Sequence, residues 1–88
     1  NNSRWLIQIV GNYALEEAIP ELFVILQESS KDLERGNSNW ILNATLEALD
    51  KLHTDIIEER LLDLRTKFTK YNNDNVLKLK HIIQMWNN

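Results

Sequence analysis

The chain of 88 residues has 13 Asp and Glu against 10 Lys and Arg, a net charge of −3 at pH 7, and 43% of its residues are hydrophobic. This length fits one domain or one piece of an extended array, and the composition excludes a disordered or fibrous chain. The absence of cysteine excludes disulfides, thiol catalysis and Cys-based metal sites. No apolar run reaches the roughly 20 residues of a spanning helix. We therefore expect a soluble, cytoplasmic protein without a membrane partner.

Two helices are predicted in the first third of the chain. Asn2 or Ser3 can cap a helix over residues 3–13, where apolar residues recur every three to four positions. The second predicted helix, over residues 16–28, contains the only proline, Pro20. Proline fits the first turn of a helix because the N–H groups there have no helical partner. Carboxylates near this helix start are favoured by the helix dipole, so they need no catalytic explanation.

The polar segment 28–39 interrupts the helical pattern. Gly36 lies there among turn-forming residues, so the segment predicts a long loop that could include a turn of helix around Leu33. Three amphipathic helices are predicted beyond it, over residues 38–53, 55–71 and 74–86. Asp55 with Glu58 three residues later has the spacing of an N-cap and its reciprocal partner. Asn73 or Asp74 can cap the last helix.

The sequence matches itself at two offsets. At an offset of 39, the apolar residues Ile9, Val10, Tyr13, Ala18, Leu22, Phe23 and Ile25 fall on Ala48, Leu49, Leu52, Ile57, Leu61, Leu62 and Leu64. At an offset of 34, the residues Leu42, Ala48, Leu49 and Leu52 fall on Val76, Ile82, Ile83 and Trp86. Repeats of about 35 to 45 residues built from helix pairs are typical of α-solenoids.

The segments IVGNYALEEAIPEL (9–22) and ALDKLHTDIIEERL (48–61) resemble the junctions of HEAT repeats. There, one helix ends in an Ala-Leu-Gly-type signature and the next opens with Ala-Ile-Pro-x-Leu. The resemblance implies an all-α fold of five helices in antiparallel pairs, as a HEAT-like α-solenoid fragment. A small helical domain of the ordinary kind shares the same periodicities and remains an alternative. In the HEAT family the second helix of each pair lines the binding surface, which implies an inner row made of the first, third and fifth predicted helices.

Enzymatic chemistry finds little support in the sequence. His53 and His81 are the only histidines, and neither has metal-ligand spacing. His53 falls at a helix end, where it can interact with the last carbonyls, and His81 is expected on the surface. Neither a glycine-rich phosphate loop nor a nucleophile elbow is present. We therefore expect a non-catalytic protein with no cofactor and no metal site.

Protein binding is the function that the sequence favours. Trp40 follows the polar loop at the start of the third predicted helix, and aromatic anchors are frequent interface hot spots. The predicted partner-binding residues are Trp40, Asn43, Glu47, Asp50, Gln8 and His81. The acidic excess favours a basic protein partner. A toxin-neutralising immunity protein and a scaffold or adaptor segment of a larger HEAT protein are two versions of this function.

Charge is unevenly distributed along the chain and leaves an alternative partner open. Residues 1–59 carry a net charge of −7 and residues 60–88 a net charge of +4. The basic C-terminal third could bind nucleic acid through phosphate contacts. A solvated face is the favoured interpretation, because the net negative charge of the chain repels nucleic acid at long range. Because solenoids need polar end caps, either self-association through exposed end faces or a longer parent chain would cover the ends of such an array.

Overall fold

The computed structural model describes residues 15–87, and this part of the chain contains four α-helices and no strand. The helices are α1 (Ile19–Ser30), α2 (Trp40–Leu52), α3 (Asp55–Phe68) and α4 (Asp74–Trp86). Two 3₁₀ segments, Glu16–Ala18 and Lys31–Arg35, flank α1. The all-α prediction is confirmed, and the helix predicted over residues 3–13 lies outside the described residues. Within residues 15–87, no helix is long and apolar enough to span a membrane.

Side-chain oxygens mark where three of these helices begin. The N-cap residues Asn39, Thr54 and Asn73 each accept a hydrogen bond from a backbone N–H of the first turn. The prediction for Asn73 is confirmed. The prediction for Asp55 is wrong by one residue, because the hydroxyl of Thr54 takes the capping position and Asp55 becomes the first residue of α3. Pro20 lies in the first turn of α1, as predicted.

The segment predicted as a loop over residues 28–39 is largely helical, so this prediction is wrong. The hydroxyls of Ser29 and Ser30 donate to carbonyls in the preceding turn at 2.7 and 3.0 Å, so both serines can be buried inside the helix. Leu33 is 1% exposed and anchors the 3₁₀ segment Lys31–Arg35 in the core. The predicted turn of helix around Leu33 is therefore confirmed. Gly36, with a φ of 75°, ends this segment in the left-handed region that favours glycine.

The helices form two layers that share one core. In one layer α2 and α4 are parallel, since Glu47 and Asp50 of α2 contact Lys78 and Trp86 of α4 in the same order. In the other layer α1 and α3 are parallel. Phe23 contacts Arg60, and Glu34, after α1, contacts Lys67 further along α3.

The two layers are held together by pairs of helices. α1 packs on α2, α3 packs on α4, and α2 packs on α4 within its layer. The core takes fully buried side chains from all four helices, among them Leu22, Leu49, Leu61 and Leu79. The overall dimensions of 34 × 33 × 17 Å describe a slab that is two helices thick.

His53 forms the corner between α2 and α3. Its backbone has φ 36° and ψ 67°, and its N–H donates to the carbonyl of Leu49 at 2.8 Å. The predicted position at a helix end is therefore confirmed, although the backbone rather than the ring bonds to the carbonyl. The left-handed conformation costs a residue with a Cβ about 1–2 kcal/mol. Because of this conformation, only two residues, His53 and Thr54, connect α2 to α3.

The strain at this corner predicts that a glycine variant is more stable than an alanine variant, which is the reverse of their usual order in a helix. His53→Gly and His53→Ala both remove the imidazole, but only glycine adopts the left-handed conformation without strain. We expect His53→Gly to be more stable than His53→Ala by about 1 kcal/mol, as measured by urea unfolding. In a regular helix interior glycine is less stable than alanine, so the sign alone is diagnostic. An alanine variant of equal or greater stability would contradict the left-handed corner.

Candidate functional site

Asn75, in the first turn of α4, joins that helix to the start of α2 and is 1% exposed. Its Oδ1 accepts from the backbone N–H of Asn39 at 2.8 Å. Its Nδ2 donates to the carbonyl of Asn39 at 2.9 Å and to Oδ1 of Asn43 at 2.6 Å. Asn39 also caps α2, and its own Nδ2 donates to Asp32 at 2.8 Å. We call the contact of Asn75 with Asn39 and Asn43 the asparagine clamp; it leaves the buried amide with three partners.

Two further contacts continue from the asparagine clamp along the same helices. Lys78 Nζ lies 2.8 Å from Glu47 Oε1, and the indole N–H of Trp86 donates to Asp50 Oδ1 at 2.7 Å. Both bonds involve an ionised group, which makes them stronger than neutral hydrogen bonds of the same geometry. Together with the clamp they form a polar seam between α2 and α4.

The seam ends at the corner between α2 and α3. The imidazole of His53 stacks on the indole of Trp86, with ring centroids 4.1 Å apart and planes 7° from parallel. Nε2 of His53 lies 3.8 Å from Oε1 of Glu58 on α3. This corner therefore fixes the end of α4 against both neighbouring helices. In the described part of the chain, no group of three His, Asp or Glu side chains is arranged to hold a metal ion.

The predicted partner-binding residues divide into two groups in the structure. Asn43, Glu47 and Asp50 belong to the polar seam, so each bonds to α4 of the same chain. Trp40 is 51% exposed at the start of α2, and His81 is exposed on α4. Gln8 lies outside the described residues. Sequence analysis missed the seam, because its partners are separated by more than 30 positions along the chain. Contact of these residues with another protein stays a prediction.

A further charged surface lies at the start of α1 and α3 and was not predicted. We call it the acidic edge; its exposed residues are Glu16, Glu17, Glu21, Val24, Asp55, Ile56 and Glu59. Because α1 and α3 are parallel, the two helix starts lie side by side. Val24 and Ile56 are 54% and 56% exposed; Val24 follows Phe23 in α1, and Ile56 lies one turn before Arg60, whose guanidinium contacts the Phe23 ring. Only the carboxylate runs were visible in the sequence.

The cations of the C-terminal third are partly paired with carboxylates. Lys67 lies 3.7 Å from Glu34, and Lys78 bonds to Glu47 in the polar seam. The guanidinium of Arg60 lies 4.5 Å from the centre of the Phe23 ring. Within residues 15–87, no carboxylate pairs with Arg65, Lys70 or Lys80. The basic character of this third is therefore concentrated at the end of α3 and the middle of α4.

Comparisons with known proteins do not indicate a function for the chain. No family model, curated protein or solved structure matches the chain. The likeness to HEAT repeats is thus a resemblance of sequence pattern, and function has to be argued from the surfaces described above.

The asparagine clamp gives a second prediction. Asn75→Ala should lower the free energy of unfolding by about 2 kcal/mol, because the backbone N–H of Asn39 loses its acceptor and the Asn39 carbonyl keeps only the N–H groups of the first turn of α2. Asn75→Asp is nearly isosteric but cannot donate to the Asn39 carbonyl or to Asn43 when ionised. It should therefore destabilise at least as much as alanine at pH 7. Urea unfolding measures both effects.

Asn72→Ala is the matched control for the clamp, since Asn72 is exposed just before α4. It should change the free energy of unfolding by no more than about 0.5 kcal/mol. If Asn75→Asp were as stable as the parent chain, the amide would not donate as described.

Proposed function

We propose that the chain is a non-catalytic protein-binding module that receives a basic protein partner at the acidic edge. The observation that carries this proposal is the combination of five exposed carboxylates with the half-exposed apolar side chains of Val24 and Ile56. Charge alone is common on surfaces, and single exposed apolar residues are common too. Their combination on one edge of a packed layer is what favours a partner.

The two kinds of side chain at the acidic edge have different roles in the proposal. The carboxylates attract a basic partner before contact, which raises the association rate and orients the approach. Arg60, a nearby cation, is engaged with the ring of Phe23 rather than with a carboxylate of the edge. Val24 and Ile56 then offer apolar area that the partner removes from water, and this burial holds the complex together.

We also propose that the helices are arranged as in HEAT repeats. Support comes from positions that the self-match relates, because their burial agrees. Leu42 and Val76 are both buried, as are Ala48 with Ile82 and Leu49 with Ile83, while Leu52 and Trp86 are both half-buried. The two layers of parallel helices, with pairs α1–α2 and α3–α4, also fit such an array. An immunity protein and a scaffold segment are both compatible with this proposal.

The experiment places a photo-crosslinking amino acid at position 56 of the intact chain, in the cells from which it derives. The captured protein is then purified, and its binding is measured by calorimetry and stopped-flow mixing. Glu21→Gln with Glu59→Gln should weaken binding at least about tenfold, with most of the loss in the association rate at low salt. Ile56→Ser should weaken it mainly through faster dissociation.

Matched controls separate the acidic edge from charge in general and from the inner row. Glu28→Gln with Glu34→Gln also removes two negative charges, but at the opposite end of the layer of α1 and α3. The affinity for the captured protein should then change by less than about twofold. Trp40→Ala and His81→Ala test the inner row predicted from the sequence. If those two variants abolish binding while the variants of the acidic edge bind normally, the proposal is wrong.

A further inference from the structure

An open groove of about 540 Å³ lies between the end of α3 and the middle of α4, away from the acidic edge and the polar seam. Its lining residues are Arg65, Thr66, Thr69, Lys80 and Gln84. Two cations from different helices thus line the same space, and none of the lining residues is acidic. Two of the six cations of the C-terminal third therefore share this groove.

The contacts inside the groove show which donors remain for a ligand. Lys80 Nζ donates to the carbonyl of Thr69 at 3.0 Å, which fixes the ammonium at the end of α3 and leaves its other two donors. The hydroxyl of Thr66 donates to the carbonyl of Leu62 at 3.0 Å. Arg65 is half-buried, and no carboxylate in the described part of the chain pairs with it. Its planar fork of donors is suited to two oxygens of one anion.

We propose that this groove binds the phosphate group of a small molecule. The guanidinium of Arg65 takes two phosphate oxygens, and Lys80 supplies a second positive charge from the opposite wall. The hydroxyl of Thr69 and the amide of Gln84 add neutral donors. A tetrahedral, doubly charged anion uses such a set of donors better than a single carboxylate does.

The groove favours a small phosphate over a nucleic acid for two reasons. Nucleic-acid binding uses many phosphate contacts along a surface, whereas only two of the cations that lack a carboxylate partner, Arg65 and Lys80, line this groove. The paired Lys67 and Lys78 lie on other faces and are neutralised by Glu34 and Glu47. The net charge of −3 would also weaken the approach of a long polyanion more than that of a small one.

The test is a titration of the ¹⁵N-labelled intact chain with inorganic pyrophosphate and with glycerol 3-phosphate, at constant ionic strength. The two probes distinguish a free phosphate from a phosphate ester. With either probe as ligand, chemical-shift changes should be confined to residues of the groove. Arg65→Gln should raise the dissociation constant at least about tenfold, since it removes charge-assisted hydrogen bonds. Lys80→Gln serves as a second variant and should have an effect in the same direction.

Lys31→Gln is the matched control, because it removes one positive charge from an exposed side chain that pairs with Glu28 outside the groove. The dissociation constant of Lys31→Gln for each phosphate probe should equal that of the parent chain. Equal loss of affinity in Lys31→Gln and Arg65→Gln would mean that phosphate binding depends on the net charge of the chain and not on the groove, and this would overturn the proposal. Failure of both phosphates to bind the parent chain would also overturn it, whether or not a single-stranded oligonucleotide binds through Arg65 and Lys80.

Discussion

The side chain of Asn75 bonds to both backbone polar groups of Asn39, and the relative position of α2 and α4 depends on this contact. Asn39 precedes α2, and its carbonyl also accepts from Leu42 and Asn43 in the first turn, so the backbone N–H is the group that depends on Asn75 for an acceptor. A buried amide with unmet hydrogen bonds is costly, and a shift of α4 along α2 would leave Asn75 in that state. The clamp therefore fixes the register between the two helices. The contacts of Lys78 and Trp86 follow at the turns that this register brings into reach.

This register also decides which surfaces remain for other molecules. Polar groups between α2 and α4 are used within the chain, so these two helices offer fewer free polar groups to a partner than their composition indicates. Outside the seam, five exposed carboxylates gather at the acidic edge and Arg65 and Lys80 line the basic groove, while Lys31, Arg35 and Lys67 pair with carboxylates elsewhere on the surface. The uneven charge of the sequence thus becomes an uneven charge of the surface. An extended helical slab can present these two regions at once because each layer exposes its own edge.

Much of the fold could be predicted from the sequence, since amphipathic spacing and caps are local signals. The prediction failed for residues 28–39, where polar composition favoured a loop. The serine hydroxyls bond within the helix and a single apolar residue, Leu33, is enough to hold the segment in the core. The spacing of Asp55 and Glu58 predicts Asp55 as the cap of a capping box, and the neighbouring Thr54 fills that position instead.

The candidate sites were less predictable than the helices. The sequence predicts that Asn43, Glu47 and Asp50 bind a partner protein, because their partners on α4 are 31 to 36 positions away and do not show in the local pattern. The acidic edge and the basic groove likewise depend on which helices lie side by side. Periodicity does not contain that information, although the self-match at an offset of 34 residues relates α2 to α4.

Hydrogen exchange of the Asn39 amide in the unmodified chain tests the clamp most directly. Asn39 precedes α2, and N–H groups at such positions usually exchange quickly because no helical carbonyl is available to them. The clamp predicts that the Asn39 amide exchanges as slowly as the core amides of α2, which open only with global unfolding. Exchange as fast as that of the exposed neighbour Ser38 would contradict the clamp and the helix register that depends on it.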